Sequence, residues 1–444
     1  MKYIHRLLLI TLSCFVLSSC GGGGSAACSV ALGLACSATK SSGGSGGGNG
    51  GSSNSPITYR VLHLMGGTVL QEGANPQSTL IEVGGNFYGT TQNGGLWQHG
   101  SVFKMDSSGH VTTLCSFRGL TGVDVDGNVD GDAPYAGLLL DKDGSTLYGT
   151  TVMGGQYNYG TVFKVIDFAN NPTCHIIYTF QGGVNGDGEH PYGVLIQGQT
   201  DTDLYGTTTY GGTNGFGTIF RIPLIGNTET YLYNFTNNTN TNTDGAYPQS
   251  GLIQVGNTLY GTTSEGNNSQ GIVFSTDNTL QNVNPLHTFV SGSNEGENPY
   301  GQLLFNSQDN MLYGTTINGG DSGLGTVFRL ALDGTNYSKQ YSFSGTLNTR
   351  IDGSRPWGNL VVVNNVIYGT TKEGGNNNGL GSIFKLTPTS SPPAVEAMLY
   401  SFGSGNDGAS PSAGLVFDSN ANIFYGTTAN GGNNSQGTIF KFTQ

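Results

Sequence analysis

One stretch, Leu147-Tyr148-Gly149-Thr150-Thr151, returns seven times and sets the limits on how this chain can fold. The Tyr-Gly-Thr-Thr cores begin at Tyr88, Tyr148, Tyr205, Tyr260, Tyr313, Tyr368 and Tyr425. Their spacing runs from 53 residues (260 to 313) to 60 (88 to 148). Each core follows an apolar residue, as with Phe87, Leu204 or Ile367. A period near 50 residues with strand-like content is the mark of propeller blades, because one small sheet cannot bury both faces alone.

A typical unit opens on the apolar run after Pro134, turns at Asp143-Gly144, and continues through Leu147 to Thr151. A Gly154-Gly155 loop leads to Gly160-Thr161-Val162-Phe163-Lys164, and a further turn leads to Ile177-Tyr178-Thr179-Phe180. Four short β-rich runs between Gly, Asn and Asp turns predict a four-stranded antiparallel sheet. Both parities are apolar or small (Leu147 and Val162 on one, Tyr148 and Phe163 on the other), as expected for a sheet sandwiched between two neighbours. Gly149 and its equivalents are expected to let the adjacent blade approach closely.

The last repeat stops at Lys441 and nearby residues, three strands in, while Tyr59 to Met65 matches the missing fourth strand. The expected fold is therefore all-β: a seven-bladed propeller over residues 57–444, its last blade completed by the N-terminal strand, which protects an otherwise open edge.

Gly supplies 75 positions and Pro 14, and because they recur at fixed offsets they read as turns, not low complexity. Charged residues are only 10%, against roughly 25% in ordinary soluble domains. The balance is acidic, 28 Asp+Glu against 16 Lys+Arg, which argues against nucleic acid as a partner.

Residues 1–19 read as a lipoprotein signal peptide. Lys2 and Arg6 precede an apolar run at 7–17 that is too short to span a bilayer. The run ends in Leu17-Ser18-Ser19-Cys20, which resembles the lipobox of bacterial lipoproteins, and this implies cleavage and lipid attachment at Cys20. The expected location is an exported, membrane-anchored lipoprotein, at an outer-membrane, periplasmic or surface face. Residues 20–56, rich in Gly and Ser, are expected to be a flexible tether. Within them Cys28 and Cys36 can pair in an oxidising compartment, whereas Cys115 and Cys174 read as buried free thiols.

The motif string Leu-Tyr-Gly-Thr-Thr, Gly-Gly, Gly-Thr-Val-Phe-Lys, aromatic-Ser/Thr-Phe and Asp-Gly-x-x-Pro resembles the GloVer (Gloeobacter/Verrucomicrobia-type) tandem-repeat surface proteins. The resemblance covers about residues 57–444; it implies surface or export and no established activity. Departures are Gly266-Asn267 for Gly-Gly, Gly271-Ile272 for Gly-Thr, and Ser78-Thr79 where other repeats have a small residue and Gly.

Seven times an acid precedes Gly-x-x-Pro or its equivalent: Glu72, Asp130, Asp187, Asp244, Glu295, Asp352 and Asp407. After each Pro stands Gln77, Tyr135, Tyr192, Gln249, Tyr300, Trp357 or Ser412. These loops join the outermost strand of one blade to the innermost of the next, so they ring one mouth of the channel. Turn chemistry explains every Asp-Gly. The functional reading is that acids and aromatics form a rim that binds a sugar or a cation.

The first loop is longer. From Asp126 it reads Asp-x-Asn-x-Asp-Gly-Asp, and Asp126, Asn128, Asp130 and Asp132 form the candidate Ca²⁺ site. Gly137 at the twelfth position excludes an EF-hand. Histidines are scattered, and no nucleophile elbow, phosphate loop or dinucleotide fingerprint is present, so no nucleotide partner is expected.

The sequence thus points to a lipid-anchored binding or scaffolding propeller at the cell envelope, with a glycan or protein ligand. Its rivals are a carbohydrate-active hydrolase or lyase, using acid pairs such as Asp187 with Glu189 or Glu295 with Glu297 at the channel mouth, and a purely structural surface protein.

Overall fold

A computed structural model of the chain describes residues 57–66, 70–183, 186–199, 202–225, 231–237, 244–266, 270–345, 351–376, 379–403 and 406–443. Cys20, Cys28, Cys36, Asn267 and the signal and tether segments lie outside the described residues.

The chain folds as seven antiparallel sheets, six of four strands and one carrying a short fifth, arranged as a seven-bladed β-propeller. Blades are numbered here by their Tyr-Gly-Thr-Thr cores. In blade 2 the strands are Leu139–Leu140, Thr146–Thr151, Thr161–Ile166 and Thr173–Thr179. Val, Ile, Thr, Tyr and Phe dominate them, the residue types that fit a pleated, buried surface. The first two strands are joined by tight turns; Gly84-Gly85 in blade 1 and Asn364-Asn365 in blade 6 have φ of 60° and 79°, and 51° and 61°. Positive φ at both central residues is what the turns matching strand twist require.

Ring closure follows the sequence expectation. Thr58–Leu64 pairs antiparallel with Thr438–Thr443, from Thr58 opposite Thr443 to Leu64 opposite Thr438, and gives blade 7 its fourth strand. Tyr59 stacks on Tyr400 of blade 6 with centroids 3.9 Å apart, and its hydroxyl donates to Asp407 O at 2.6 Å.

The core is divided into seven apolar clusters, one between each pair of neighbouring blades. Between blades 4 and 5, Tyr260, Val273 and Phe289 meet Leu303, Leu312, Phe328 and Leu330. On the other face of blade 5, Tyr313, Val327 and Phe343 meet Ile367, Phe384 and Leu386 of blade 6. Both faces of each sheet are thus dry, as the paired apolar parities require.

The two threonines of each core do separate work. The second closes its own blade: Thr151 Oγ1 lies 2.8 Å from Thr161 Oγ1 and donates to Met153 O at 2.7 Å. The first reaches across to the next blade: Thr90 donates to Ala136 O, Thr370 to Ala413 O, and across the closure Thr427 donates to Ser78 O.

Two sequence expectations are corrected. Gly149 does not make room for the neighbouring blade. A Cβ there would stand 2.4 Å from Phe163 Cζ, so the glycine makes room for the phenylalanine of its own third strand, directly opposite it in register. The close approach between blades occurs instead at the glycine that opens the third strand: a Cβ on Gly160 would lie 2.7 Å from Pro191 Cδ, and one on Gly437 2.7 Å from Pro76 Cδ. The second correction concerns Cys115 and Cys174, which form a disulfide. They sit on the outer strands of blades 1 and 2, and packing those strands side by side brings the Cα atoms to 6.2 Å, within bridging range.

Candidate functional site

Each blade hands the chain to the next through a loop with one plan. The residue before the proline takes a left-handed backbone seven times over: Asn75, Ala133, His190, Tyr247, Asn298, Arg355 and Ser410, with φ between 53° and 58°. Such a conformation is uncommon outside glycine. It is held here because the residue's N–H donates to the preceding blade, as His190 does to Tyr159 O and Tyr247 to Phe216 O, both at 2.9 Å. The carbonyl is held from the other side, accepting from Thr209 N and Ser264 N in those two blades. The clamp fixes the direction of the chain as it enters the channel wall.

The seven acids are the anchors of these loops. Asp187 accepts from Gln181 N at 2.7 Å and Gly188 N at 2.8 Å. Asp244 accepts from Tyr233 Oη at 2.9 Å and Thr236 N at 2.7 Å. Asp352 accepts from Tyr341 Oη at 2.7 Å and Ser344 N at 3.0 Å, and Asp407 from Tyr400 Oη and Gly403 N, both at 2.9 Å. Asp130 accepts from Arg118 N and Gly131 N. Burial pushes the Asp130 and Asp187 carboxyls up, while these donors pull them back.

The two glutamates follow another rule. Glu72 Oε2 lies 2.9 Å from His63 Nε2, and Glu295 Oε2 lies 3.4 Å from His287 Nε2. The partner position, two residues before the terminal aromatic or Met of the outer strand, carries Tyr178, Tyr233, Tyr341 or Tyr400 for four of the five Asp, and the disulfide-bonded Cys115 for Asp130. It carries His63 or His287 where the acid is Glu. The longer acid meets the shorter ring. That pairing was visible in the sequence and marks the acids as internal braces.

The side chains after the prolines do converge. Tyr135, Tyr192, Tyr300, Trp357, Gln77, Gln249 and Ser412 line a central cavity of about 300 Å³, and Tyr210, Gln302 and Asn359 join them. None of the seven acids is among the lining residues. The aromatics touch one another across the channel. Tyr135 meets Tyr192 edge-on at 5.2 Å, Tyr300 lies 4.3 Å from Trp357, and the Trp357 indole donates to the Tyr135 hydroxyl. Lys372 Nζ sits 4.0 Å from the Trp357 ring centroid. Burial pushes the Tyr135 and Tyr300 phenols up to about 12, so both remain protonated donors at neutral pH. Tyr210, Gln302 and Asn359 were not singled out in the sequence; they lie outside the post-proline position that drew attention to the others.

The residues proposed for Ca²⁺ share one loop, and each has its own partner. Asp126 Oδ2 pairs with His175 Nδ1 at 2.6 Å, Asp132 Oδ2 with His99 Nδ1 at 3.0 Å, and Asp130 braces its loop. Asn128 donates its amide to Asp124 Oδ2 at 3.2 Å. Burial alone would raise the Asp124 carboxyl, but N–H donors from Ile176 and Asn128 outweigh it and hold the group below its usual range. Each of the four is thus engaged with a partner in its own surroundings, and among the described residues no group of three His, Cys, Asp or Glu side chains is placed to hold a metal ion. The melting temperature is expected to be the same in millimolar Ca²⁺ and in EDTA; a rise of several degrees with Ca²⁺ that Asp130→Ala removes would restore the cation site, since binding at a hundredfold excess over Kd adds about 2.7 kcal/mol.

The Gloeobacter/Verrucomicrobia repeat model matches residues 121–270 and 263–444. No curated protein matches the chain. Among solved structures, an oligogalacturonate lyase in complex with manganese is 12% identical with a TM-score of 0.51, covering 87% of this chain and 96% of its own. A 6-phosphogluconolactonase candidate from Bacteroides uniformis is 12% identical with a TM-score of 0.48, covering 77% and 88%. A second such candidate, from Bacteroides fragilis, is 13% identical with a TM-score of 0.46, covering 82% and 99%. At these identities the likeness concerns the propeller fold and not its chemistry.

Proposed function

The chain belongs to the Gloeobacter/Verrucomicrobia repeat family, and from that footing we propose that it is a binding propeller whose central cavity takes a neutral, polyhydroxylated ligand of one or two sugar rings. The observation that carries this reading is the lining: aromatic rings and carboxamides with no charged side chain among them. Tyr and Trp offer an apolar face and a polar tip, which suits the two faces of a pyranose. Gln77, Gln249, Gln302 and Asn359 offer donors and acceptors at fixed places, and about 300 Å³ lies at the small end of ligand pockets.

The rival hydrolase or lyase reading requires a carboxylate or histidine in reach of the ligand. Here the acids are spent on backbone N–H groups, tyrosines and histidines, no carboxylate or histidine lines the central cavity, and Tyr135 and Tyr300 stay protonated. This favours binding over catalysis. Export and a lipid anchor at Cys20 belong to the same proposal, supported by the lipobox-like sequence and by the Cys115–Cys174 bridge, a bond that persists in oxidising compartments.

The test is calorimetric titration of the purified protein with neutral gluco-, galacto-, manno- and xylo-disaccharides and their uronate counterparts, with Trp357 fluorescence as a second readout. At least one neutral sugar is expected to bind, and Tyr300→Ala to weaken it tenfold or more. Binding of none of the neutral sugars, or of uronates alone, would overturn the proposal.

A further inference from the structure

Before the prolines, ring side chains stand in two neighbouring blades of the mouth. The positions before the proline carry Asn75, Ala133, Asn298, Arg355 and Ser410 in five blades but His190 and Tyr247 in blades 3 and 4. Around these two, other rings gather. Tyr159 lies 6.2 Å from His190, His190 lies 5.8 Å from Tyr210, Tyr210 lies 5.5 Å from Tyr247, and Tyr247 lies 5.8 Å from Phe216, each pair edge-on. Tyr210 belongs to both places: it lines the central cavity and is 44% exposed at the rim. His190 and Tyr247 are pinned by the left-handed clamp, so the backbone fixes the direction in which their side chains leave the chain.

We propose that this row is an extended subsite, along which an oligosaccharide held at one end in the cavity continues outward over blades 3 and 4. The inference rests on the sugar-binding reading of the cavity and deepens it, naming the ligand as a chain of several sugar units. Ring centroids spaced 5.5–6.2 Å apart are close to the step between successive pyranoses, so each unit meets a fresh ring. Burial holds the His190 imidazole below its usual range, against the opposing pull of the Glu189 carboxylate 3.9 Å away, and so neutral at pH 7.

The experiment compares gluco- and xylo-oligosaccharides of two and six units on the full chain. The six-unit sugar of the type that binds is expected to bind at least tenfold tighter than the two-unit sugar. Tyr247→Asn, a residue that the equivalent positions Asn75 and Asn298 already accommodate with the same backbone, should reduce that ratio below threefold and leave the two-unit affinity unchanged. His190→Asn should do the same. Equal affinity for two and six units in the unaltered protein overturns the extended subsite while leaving the cavity reading in place. A length ratio that survives both substitutions overturns it equally. If sugars of neither length bind, the cavity reading fails and this inference falls with it.

Discussion

Deleting residues 58–65 is expected to collapse the melting temperature of the propeller, while deleting residues 21–55 leaves it unchanged. The first deletion removes the strand that, among the described residues, bonds to the outer side of Thr438–Thr443, and with it six paired positions. It also strips Met65, 1% exposed, from the cluster between blades 7 and 1, and Tyr59 from its stack on Tyr400. Leu62 packs against the same cluster. Three large side chains at roughly 1.5–3 kcal/mol each come to about 5 kcal/mol or more, a large share of the stability of any domain. The unpaired edge of blade 7 adds an aggregation site. Residues 21–55 are mostly Gly, Ser and Ala with one short apolar run at 30–36, the composition expected of a flexible tether that adds nothing to the propeller core. Thermal denaturation followed by circular dichroism checks both deletions; equal melting temperatures would mean that the N-terminal strand does not close the ring.

Phe328→Ala is expected to cost about 3–5 kcal/mol, the range for a fully buried phenylalanine. Phe328 is 0% exposed, meets Phe289 of blade 4 at 5.2 Å, and covers the Cα of Gly314 so closely that a Cβ there would lie 2.4 Å from its Cζ. The cavity left cannot collapse easily, because the walls are strands held by pairing on both sides and by a second blade. Phe328→Leu keeps most of the volume and should cost less than about 1.5 kcal/mol. Gly314→Ala should be destabilising as well, from the opposite cause, overpacking. Urea titrations of the three variants test this; a loss below about 1 kcal/mol for Phe328→Ala would show that blade contacts do not carry the stability.

Much of the fold was legible because repetition amplifies weak local signals. A single Tyr-Gly-Thr-Thr says little, but seven of them at a regular spacing, with a stray outer strand at the opposite end, specify blade number and closure. The roles of the two glycines were not legible. Gly149 and Gly160 both precede small or β-branched residues in strand-like runs, and only the register shows that Phe163 lies opposite the first and Pro191 beside the second. The disulfide was hidden for a related reason. Cys115 and Cys174 are 59 residues apart, about one repeat, and only the lateral packing of two outer strands brings them together.

At the site, the post-proline ring was readable, since a fixed offset from seven prolines places seven side chains at one mouth. The part the acids play was not legible in the sequence, because Asp-Gly serves a turn and a ligand with the same residue types. What separates the two is where the carboxylate oxygens point. Asp187 points to Gln181 N and Gly188 N, away from the cavity that Tyr192, five residues later, helps to line.

The most direct test of the account is therefore a paired measurement of sugar affinity and melting temperature in Asp187→Ala and Gln249→Ala, against the unaltered protein. Asp187→Ala leaves two loop N–H groups without their acceptor, at about 1–3 kcal/mol. A lowered melting temperature with sugar affinity within twofold is expected for Asp187→Ala, and a lowered affinity with an unchanged melting temperature for Gln249→Ala. The reverse pattern, affinity or turnover lost with Asp187 and retained without Gln249, would contradict it and place the chemistry on the acids of the rim.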